Sequence, residues 1–403
     1  MNELQAILEA FAQSQENGET AFLATVVKTQ GSTYRRAGAK MLMTSTGKMV
    51  GTISSGCLEN DVFEHTRQSM SDSSAIVVTY DNTAPEDIIW GFGLGCNGVV
   101  QVLIESLDKD NTVNKLAFMR ECLNKNHFGI VATVFDIQGE VNIKTGARLL
   151  LYPNGNISTD IKDINLTQSL IADAQTAFIN QKSTVNQYYL PNGNVEVFIE
   201  VIQPPTPLVI FGAGRDAVPV AKYAKTLGWH VTVVDCRASN ATYERFPMAD
   251  EIIVARRETI HQVSITERTA TVVMTHNYLD DIEIVKMLLL SSNQYVGVLG
   301  AKQRIERLLA DLRAAETIYT DDMREKLHAP IGIDIGAETP EEIAMAIIAE
   351  IQAVLSNRNA SFLKNRKKPI HSSANNPLTD ILHVLREGKV GTAHPMIGIN
   401  KTI

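Results

Sequence analysis

The first half of the chain contains an internal repeat, and this repeat restricts the fold more than any other feature. Residues 24–50 (ATVVKTQGSTYRRAGAKMLMTSTGKMV) align without a gap with residues 132–158 (ATVFDIQGEVNIKTGARLLLYPNGNIS). Each stretch follows a segment with helical periodicity and precedes a second helical segment and two strand-like runs. We therefore expect residues 1–203 to form an α+β domain of two related units around one sheet system. Copy one spans about residues 3–107 and copy two about residues 114–202.

The comparison of the two copies separates residues that build the scaffold from residues that are candidates for function. Glycines that occur in both copies are expected at turns, where a positive φ favours glycine. These glycines form the pairs Gly31 and Gly139, Gly38 and Gly146, and Gly47 and Gly155. Residues that only copy one contains are better candidates for a functional site.

Three segments are particular to copy one. They are GSTYRRAGAK with Ser32, Thr33, Arg35 and Arg36, SSGCLEN with Ser55, Gly56 and Cys57, and EDIIWGFGLGCNG with Gly95 and Cys96. Glycine-rich turns form anion-binding nests, arginine binds phosphate as a planar fork, and cysteine sulfur suits a soft metal. Each segment alone is equally compatible with a structural role, such as a solvated hairpin end or a thiol in a tight turn. Their coincidence in one copy indicates a site.

The second half begins with a dinucleotide-binding pattern after the Pro-rich joint QPPTP. The stretch LVIFGAGRDAVPVAKYAKTLGWHVTVVDCR predicts a strand, a G-x-G-x-x-A turn, a helix and a strand that ends at Asp235. Gly212 would allow the turn, Gly214 the approach of a pyrophosphate, and Asp235 contact with ribose hydroxyls. Helix packing alone can also require these small residues, and Asp216 within the turn would repel a phosphate.

Further strand-like runs continue this pattern and predict a Rossmann-like parallel sheet over residues 204–355. The runs are EIIVA (251–255), TATVVMT (269–275) and YVGVLG (295–300). His276 and Arg304 follow two of these strands, where open α/β sheets bind ligands. Asp334 precedes a helix whose start carries a predicted capping box, Thr339 to Glu342. Residues 356–403 are predicted to be a polar tail, in which NPLTDILHVLREG is compatible with a short helix.

Composition narrows the class of protein. The net charge of −8 argues against a general nucleic-acid binder, and no apolar stretch is long enough to cross a membrane. The four cysteines match no disulfide framework and no C-x-x-C metal pattern. We expect a cytoplasmic protein with reduced thiols, and a homodimer by default.

Taken together, the motifs resemble those of the XdhC/CoxI family, the accessory factors of xanthine dehydrogenase and related molybdenum hydroxylases. The resemblance rests on GSTYRRAGAKM, GTISSGCLEN, WGFGLGCNG, LVIFGAGRDAVP, VTVVDCR, RFPMAD, MTHNYLDD, YVGVLGAKQR and PIGIDIGAETPEEIAMAIIAEI. The chain departs from the family pattern at Ser55 and Asn97, where the family usually has glycine.

This resemblance implies a protein that binds the molybdenum cofactor (molybdopterin), protects it while its terminal sulfur is installed, and delivers it to an apo molybdenum hydroxylase. A cofactor sulfurtransferase is then the second partner. Cys57 and Cys96 would contact the molybdenum or its sulfur. The pterin phosphate or its nucleotide extension would be held by Ser32, Thr33, Arg35 and Arg36.

Two alternatives belong to other classes. The first is an NAD-dependent oxidoreductase in which Asp235 helps to bind the nucleotide and His276 is the acid–base group. The second is an enzyme that acts on the nucleotide part of the cofactor through Arg35, Arg36 and Asp334 with Mg²⁺. The resemblance favours a chaperone without turnover, and the absence of a catalytic triad and of a metal-hydrolase motif from the sequence is consistent with that interpretation.

Overall fold

The first half of the computed structural model contains two sets of elements in the same order. Copy one comprises α1 (Glu3–Glu16), β1 (Ala21–Gly31), β2 (Lys40–Thr44), β3 (Met49–Gly51), α2 (Glu59–Ser69), β4 (Ile76–Asp81) and β5 (Gly98–Ser106). Copy two comprises α3 (Lys115–Asn124), β6 (Gly129–Gly139), β7 (Arg148–Leu151), β8 (Ile157–Thr159), α4 (Ile164–Asn180), β9 (Thr184–Leu190) and β10 (Gly193–Ile202). The structure describes residues 3–54, 56, 58–69, 74–81, 98–107, 114–314 and 320–367. The helix considered in the tail lies outside these residues.

The prediction of two related units is confirmed by the strand orders. Copy one forms a five-stranded antiparallel sheet with the order β3-β2-β1-β5-β4, and copy two forms one with the corresponding order β8-β7-β6-β10-β9. The expectation of one sheet system is wrong. Each central strand has both of its hydrogen-bonded neighbours within its own copy, and among the described residues no strand of one sheet pairs with a strand of the other.

The two sheets have equivalent packing on both faces. The faces differ because successive strand residues point to opposite sides. Phe22 on β1 faces an apolar cluster with α2, and Ile130 on β6 faces one with α4. Leu23 and Val131, on the opposite faces, share a third cluster with α1 and α3. Helices α1 and α3 therefore lie between the two sheets.

A β-bulge at the same place in each copy supplies the centre of the contact between copies. The bulges add Val27 to β1 and Phe135 to β6, and both side chains are buried. They form one apolar cluster with Leu103 of β5 and Phe198 of β10. Because a bulge turns one extra side chain out of the regular alternation, both copies direct an apolar residue at their partner.

Reciprocal ion pairs surround this apolar centre. Lys40 of copy one pairs with Glu200 of copy two, and Arg148 of copy two pairs with Glu105 of copy one at 2.6 Å. Lys40 and Arg148 occupy aligned positions in the repeat, so the contact is pseudo-symmetric. Glu105 also pairs with Lys115 at the start of α3. All five charged side chains are buried.

The predicted turn glycines are confirmed, and one pair lies beside the ion pairs between copies. All three pairs of shared glycines have a positive φ. A Cβ atom on Gly38 would lie 3.4 Å from Glu200 Oε1, and one on Gly146 would lie 3.4 Å from Glu105 Oε1. These distances are ordinary contacts, so the turn conformation is the reason for glycine at both positions.

The second half forms the predicted parallel sheet. Its elements are β11 (Pro207–Phe211), α5 (Ala217–Thr226), β12 (His230–Asp235), β13 (Glu251–Val254), β14 (Ala270–Val273), α6 (Tyr278–Leu290), β15 (Tyr295–Val298), α7 (Lys302–Ala314), α8 (Asp321–Glu325), β16 (Leu327–His328) and α9 (Pro340–Leu355). The strand order β13-β12-β11-β14-β15-β16 is that of a Rossmann sheet. The predicted capping box of α9 is confirmed, since Thr339 and Glu342 bond each other's backbone N–H groups.

Arg268 connects the two halves at the Pro-rich joint. Its Nη2 atom donates to the carbonyl oxygen of Pro204 at 2.9 Å, and its guanidinium lies 4.6 Å from the ring centroid of Phe128 in copy two. A cation over an aromatic face is attractive, and more so when it is shielded from water. The joint is thus held by a specific contact.

Candidate functional site

The hairpin tip of copy one is connected to the loop after β3 through one carboxylate. Arg35 on the tip donates from Nη2 to Glu3 Oε2 at 2.5 Å, and Glu3 Oε1 accepts from the backbone N–H of Thr52 at 3.1 Å. Glu3 is the first residue of α1, so the helix start, the tip and the loop meet at one point. Arg35 therefore lies beside the segment that contains Cys57, although Ser55 and Cys57 lie outside the described residues.

The two ends of the SSGCLEN loop are held by the carboxylate of Glu59. Glu59 Oε1 accepts from Thr52 Oγ1 at 2.6 Å and from the N–H of Ser54 at 2.8 Å. Its Oε2 accepts from the N–H of Leu58 at 3.2 Å and from the hydroxyl of Ser54. Burial by itself raises the pKa of Glu59, but hydrogen bonds from Ser54 and Thr52 outweigh it and lower the pKa to about 2. The ionised carboxylate thus fixes both ends of the loop.

Gly56 lies between these fixed ends. It is exposed, its φ is +103°, and a Cβ atom placed on it would meet no atom of the described residues within 4 Å. A positive φ is costly for most other residues, so the backbone conformation is the reason for glycine here.

The third predicted segment joins the sheet beside the tip. It ends at Gly98, where β5 begins; Gly95 and Cys96 lie outside the described residues. A Cβ atom on Gly98 would lie 2.5 Å from the carbonyl oxygen of Gln30 and 2.6 Å from that of Ser32. Glycine is therefore required for this close approach. All three segments that are particular to copy one reach the same end of the sheet.

Copy two closes the corresponding end of its sheet with a short turn. Pro191 and Asn192 connect β9 to β10, whereas residues 82–97 connect β4 to β5 in copy one. The carbonyl oxygen of Asn192 accepts from the N–H of Glu140 at 2.9 Å, which places the turn directly on the hairpin strand. The same region is thus covered by a turn in copy two and carries the candidate site in copy one.

The remaining tip residues present polar groups to solvent. Ser32 and Arg36 are exposed, and Thr33 is half-buried with its hydroxyl donating to the carbonyl oxygen of Arg35 at 2.9 Å. That bond shapes the tip around Arg35. The tip can therefore offer guanidinium and hydroxyl groups to an anion.

In the C-terminal domain, the carboxylate of Asp235 is occupied by neighbouring groups. Its Oδ2 accepts from the N–H of Ala213 at 2.7 Å and from Arg237 Nη2 at 2.8 Å, and its Oδ1 accepts from Arg237 Nε at 2.9 Å. Burial raises the pKa of Asp235, but the hydrogen bonds from Arg237 and Ala213 outweigh it and hold the pKa below its ordinary value. The predicted contact with ribose hydroxyls stays a prediction, and it would have to displace Arg237.

Gly212 and Gly214 form the predicted turn, with His276 beside it. Gly212 has a φ of +118°, and a Cβ atom on it would lie 2.4 Å from the carbonyl oxygen of Met274. His276 itself has a φ of +61°, and its Nε2 lies 2.8 Å from Asp216 Oδ2. A Cβ atom on Gly214 would lie 2.4 Å from Asp216 Oδ1. A carboxylate and an imidazole therefore occupy the approach to the turn.

Arg304 lies near His276, whereas Asp334 lies on the loop that follows β16. Arg304 Nη2 donates to Asp281 Oδ2 at 2.5 Å, and Asp281 Oδ1 accepts from Thr275 Oγ1 at 2.6 Å, next to His276. Asp334 is exposed on the loop between β16 and α9. It belongs to a different domain from Arg35 and Arg36. The enzyme acting on the nucleotide part of the cofactor, which the sequence analysis considered, would need all three residues in one site.

The sequence patterns missed four residues that organise these two regions. Glu3 and Glu59 hold the copy-one end, and Arg237 and Arg257 line a cleft in the C-terminal domain. Glu59 could have been noticed as the acid that closely follows Cys57 in GCLEN. Arg237 could have been noticed in VVDCR. It lies two residues after the strand-terminal Asp235, close enough in the sequence for a local hydrogen bond to that carboxylate.

The fold and these two regions define a class of two-domain protein, in which a duplicated α+β domain precedes a Rossmann domain. Family models match both parts: that of the XdhC and CoxI family covers residues 14–81, and that of the XdhC Rossmann domain covers residues 208–351. Among the described residues, no helix is long and apolar enough to cross a membrane.

One relative and one solved structure match most of the chain, and a second relative matches a part of it. A protein of Bacillus subtilis (strain 168), named as a probable subunit of xanthine dehydrogenase, is 33% identical over 354 residues, 87% of this chain and 97% of that protein. The uncharacterized protein YqeB of Escherichia coli (strain K12) is 30% identical over 183 residues, 45% of this chain and 32% of that protein. A crystal structure of a xanthine dehydrogenase from Bacillus halodurans matches with a TM-score of 0.72 and 27% identity, over 89% of this chain and 97% of that one. This chain belongs to the XdhC and CoxI family.

Proposed function

We propose that this protein acts in the maturation of a xanthine dehydrogenase-type molybdenum hydroxylase by holding and delivering the molybdenum cofactor. Its partners would be the apo-enzyme and a cofactor sulfurtransferase, in the cytoplasm, and the protein itself would be a homodimer. The relatives named for xanthine dehydrogenase support the link to that enzyme. The observation that carries the proposal is the convergence, at one end of the copy-one sheet, of the three segments that copy two lacks.

The described residues at this end fit an anionic, phosphate-bearing ligand. Arg35, Arg36 and Ser32 provide guanidinium and hydroxyl donors, which bind phosphate oxygens well. The two nearby carboxylates do not oppose an anion strongly, because Glu3 is paired with Arg35 and Glu59 is saturated by hydrogen-bond donors. Gly56 in the cysteine loop is exposed, and no atom of the described residues lies within 4 Å of a Cβ atom placed on it.

The division of roles follows from the chemistry of the side chains. The tip residues Ser32, Thr33, Arg35 and Arg36 would hold the phosphate or nucleotide end of the cofactor. Cys57 and Cys96 would face the molybdenum or its terminal sulfur, because thiolates are soft ligands. When bound, the cofactor supplies the oxo-transfer chemistry of the client enzyme. The residues of this chain bind it, orient it and limit its contact with water. Glu59 acts as a positioning residue, since it fixes the ends of the cysteine loop.

The experiment is metal and pterin analysis of protein purified without air from cells that make the cofactor. We expect molybdenum and pterin to copurify with the wild type and to be lost in Cys57→Ala. The matched control is Cys236→Ala, which removes an exposed thiol from the other domain and should retain both. Equal loss in the two variants, or a wild type free of molybdenum and pterin, would contradict the proposal.

A second comparison tests the phosphate contact. Arg35→Ala combined with Arg36→Ala should weaken cofactor binding roughly 10-fold or more, because charge-assisted hydrogen bonds contribute about 1.5–3 kcal/mol each. The effect should diminish with added salt, as screening weakens exposed charges. Lys144→Ala alters the copy-two counterpart of Arg36 and should leave binding unchanged. A loss that is independent of salt would count against a phosphate contact.

A further inference from the structure

A cleft in the C-terminal domain opens where β11, β12, β13 and β14 end. Its volume is about 210 Å³, and its apolar wall is formed by Phe211, Val234, Ala255, Ile260 and Ile284. Pockets that bury a whole drug-sized ligand measure roughly 300–1,000 Å³, so this cleft suits a base and its sugar better than an entire dinucleotide. In Rossmann domains this edge of the sheet is where nucleotides bind.

The polar side of the cleft does not favour an unmodified ribose. A carboxylate at the end of the second strand ordinarily accepts hydrogen bonds from the ribose hydroxyls of NAD. Here the carboxylate of Asp235 already accepts three hydrogen bonds from Arg237, including one from its backbone N–H, and one from the N–H of Ala213. Its side chain is only 3% exposed. The ribose corner of the cleft therefore lacks an available acceptor at this residue.

Two arginines also line the cleft, together with the carboxylates of Asp280 and Glu283. The side chain of Arg237 is 50% exposed, although the Asp235 carboxylate with which it pairs is covered. Arg257 is 44% exposed and pairs with Asp280, which is 22% exposed, and Glu283 pairs with Lys286. A guanidinium carries more N–H donors than one carboxylate can accept, so each arginine can bind a second anion. The paired carboxylates hold the arginines in place.

We propose that this cleft binds an adenine nucleotide with a phosphate on the 2′ position of its ribose, the NADPH class, in preference to NADH. Arg237, fixed by Asp235, contacts the 2′-phosphate, and Arg257 contributes from the opposite side. The base lies against the apolar wall. This site is separate from the copy-one site, and its existence does not depend on delivery of the molybdenum cofactor.

The Gly-rich turn adds a second element of selectivity. A 5′-phosphate would approach the turn at Gly214, where the Asp216 carboxylate lies and pairs with His276. Asp216 opposes an anion at that position, whereas Arg237 attracts one at the ribose. Adenosine 2′-phosphate should therefore bind more tightly than adenosine 5′-phosphate, and Asp216→Asn should strengthen binding of the 5′-phosphate in particular.

The test is isothermal titration of the full chain with NADPH, NADH, adenosine 2′-phosphate and adenosine 5′-phosphate. We expect NADPH to bind roughly 10-fold or more tightly than NADH, since one charge-assisted contact distinguishes them. Arg237→Gln retains an amide donor for Asp235 but removes the charge, so it should remove most of this preference and leave only the part that Arg257 contributes. Arg256→Ala is the matched control: Arg256 is exposed beside Arg257 but does not line the cleft. It should leave the preference unchanged.

Three results would overturn the proposal. The first is a wild type that binds NADH as tightly as NADPH, which would remove the role of Arg237. The second is an Arg237→Gln variant that has the melting temperature of the wild type and still prefers NADPH to the same extent. The third is no heat of binding for any of the four ligands at millimolar concentration, in which case the cleft is not a nucleotide site.

Discussion

Glu59→Gln is the substitution that most directly tests how the copy-one site is built. Gln can keep one carbonyl oxygen for Thr52 Oγ1 and the N–H of Ser54, at present 2.6 and 2.8 Å from the carboxylate. Its NH₂ group would then face the N–H of Leu58, where the second carboxylate oxygen now accepts at 3.2 Å. A donor facing a donor loses the bond, and the N–H of Leu58 then keeps its contact with Ser54 Oγ at 3.1 Å. The loop around Gly56 should therefore open.

The magnitude follows from the pKa of Glu59, which is lowered from 4.5 to about 2. That interval corresponds to about 3 kcal/mol of folding free energy as an upper limit, and little is lost to solvent screening because Glu59 is 9% exposed. A carboxyl whose pKa is lower in the folded state than in the unfolded state stabilises the fold fully at pH values above its unfolded-state pKa. This stabilisation is lost as the pH falls through the folded-state pKa. The contribution of Glu59 should be complete above pH 4.5 and mostly absent near pH 2.

The assay is urea unfolding of wild type and Glu59→Gln, followed by circular dichroism between about pH 7 and pH 3. We expect the variant to be roughly 2–3 kcal/mol less stable at pH 7 and the difference to shrink by more than about half at pH 3. Other carboxyls titrate equally in both proteins and cancel. Hydrogen exchange should increase at Ser54 and Leu58, and Glu64→Gln, an exposed acid on the same helix, should reproduce neither effect. A stability difference that is constant across this pH range would refute the reasoning.

Two further predictions concern the scaffold. Glu105→Gln should cost about 3–5 kcal/mol, because it leaves both Lys115 and Arg148 buried without their counter-ion. Glu200→Gln, which removes the charge opposite one cation, should cost less in the same urea titration; equal costs would contradict this account. Tyr188→Phe removes the hydroxyl that donates to Asp173 at 2.5 Å, and should lower the stability by about 1–2 kcal/mol in thermal unfolding without altering cofactor retention.

The fold of this protein could be predicted well because its signals are periodic or repeated. The two copies appear as two sheets with matching strand orders, and the Gly212 turn, the strand ending at Asp235 and the capping box at Thr339 all lie where their motifs placed them. The error concerned the sheets, since a repeat in the sequence predicts similar units but not whether their strands share hydrogen bonds. In the structure the bulge residues Val27 and Phe135 lie in the apolar cluster between the two copies. Their burial is a property of the assembled pair.

The site could be predicted only as a set of segments. The difference between the copies selected Arg35 and Gly56, but not the acids that hold them, because Glu3 lies far away in the sequence and meets Arg35 only after folding. For Asp235 the pattern gave the position correctly and could not give its hydrogen-bond partners. Arg237 is two residues away and changes what that carboxylate can do. Long-range pairing and competition for one acceptor are not encoded in motif spacing.

The two copies also explain how a binding site could arise without weakening the domain. Each copy must keep the bulge residue, the shared glycines and one half of the reciprocal ion pairs, since a change in either half leaves a buried charge in the other. The sheet end beside the hairpin tip differs between the copies, although Ala37 of the tip packs against the apolar centre of that contact. In copy two it is covered by the turn at Asn192, which bonds Glu140 directly. In copy one the connection is longer, and the ends of the neighbouring loop are held by Glu59. Function can therefore be placed at one end of one copy, because none of the five buried ion-paired residues lies in the connection that differs between the copies.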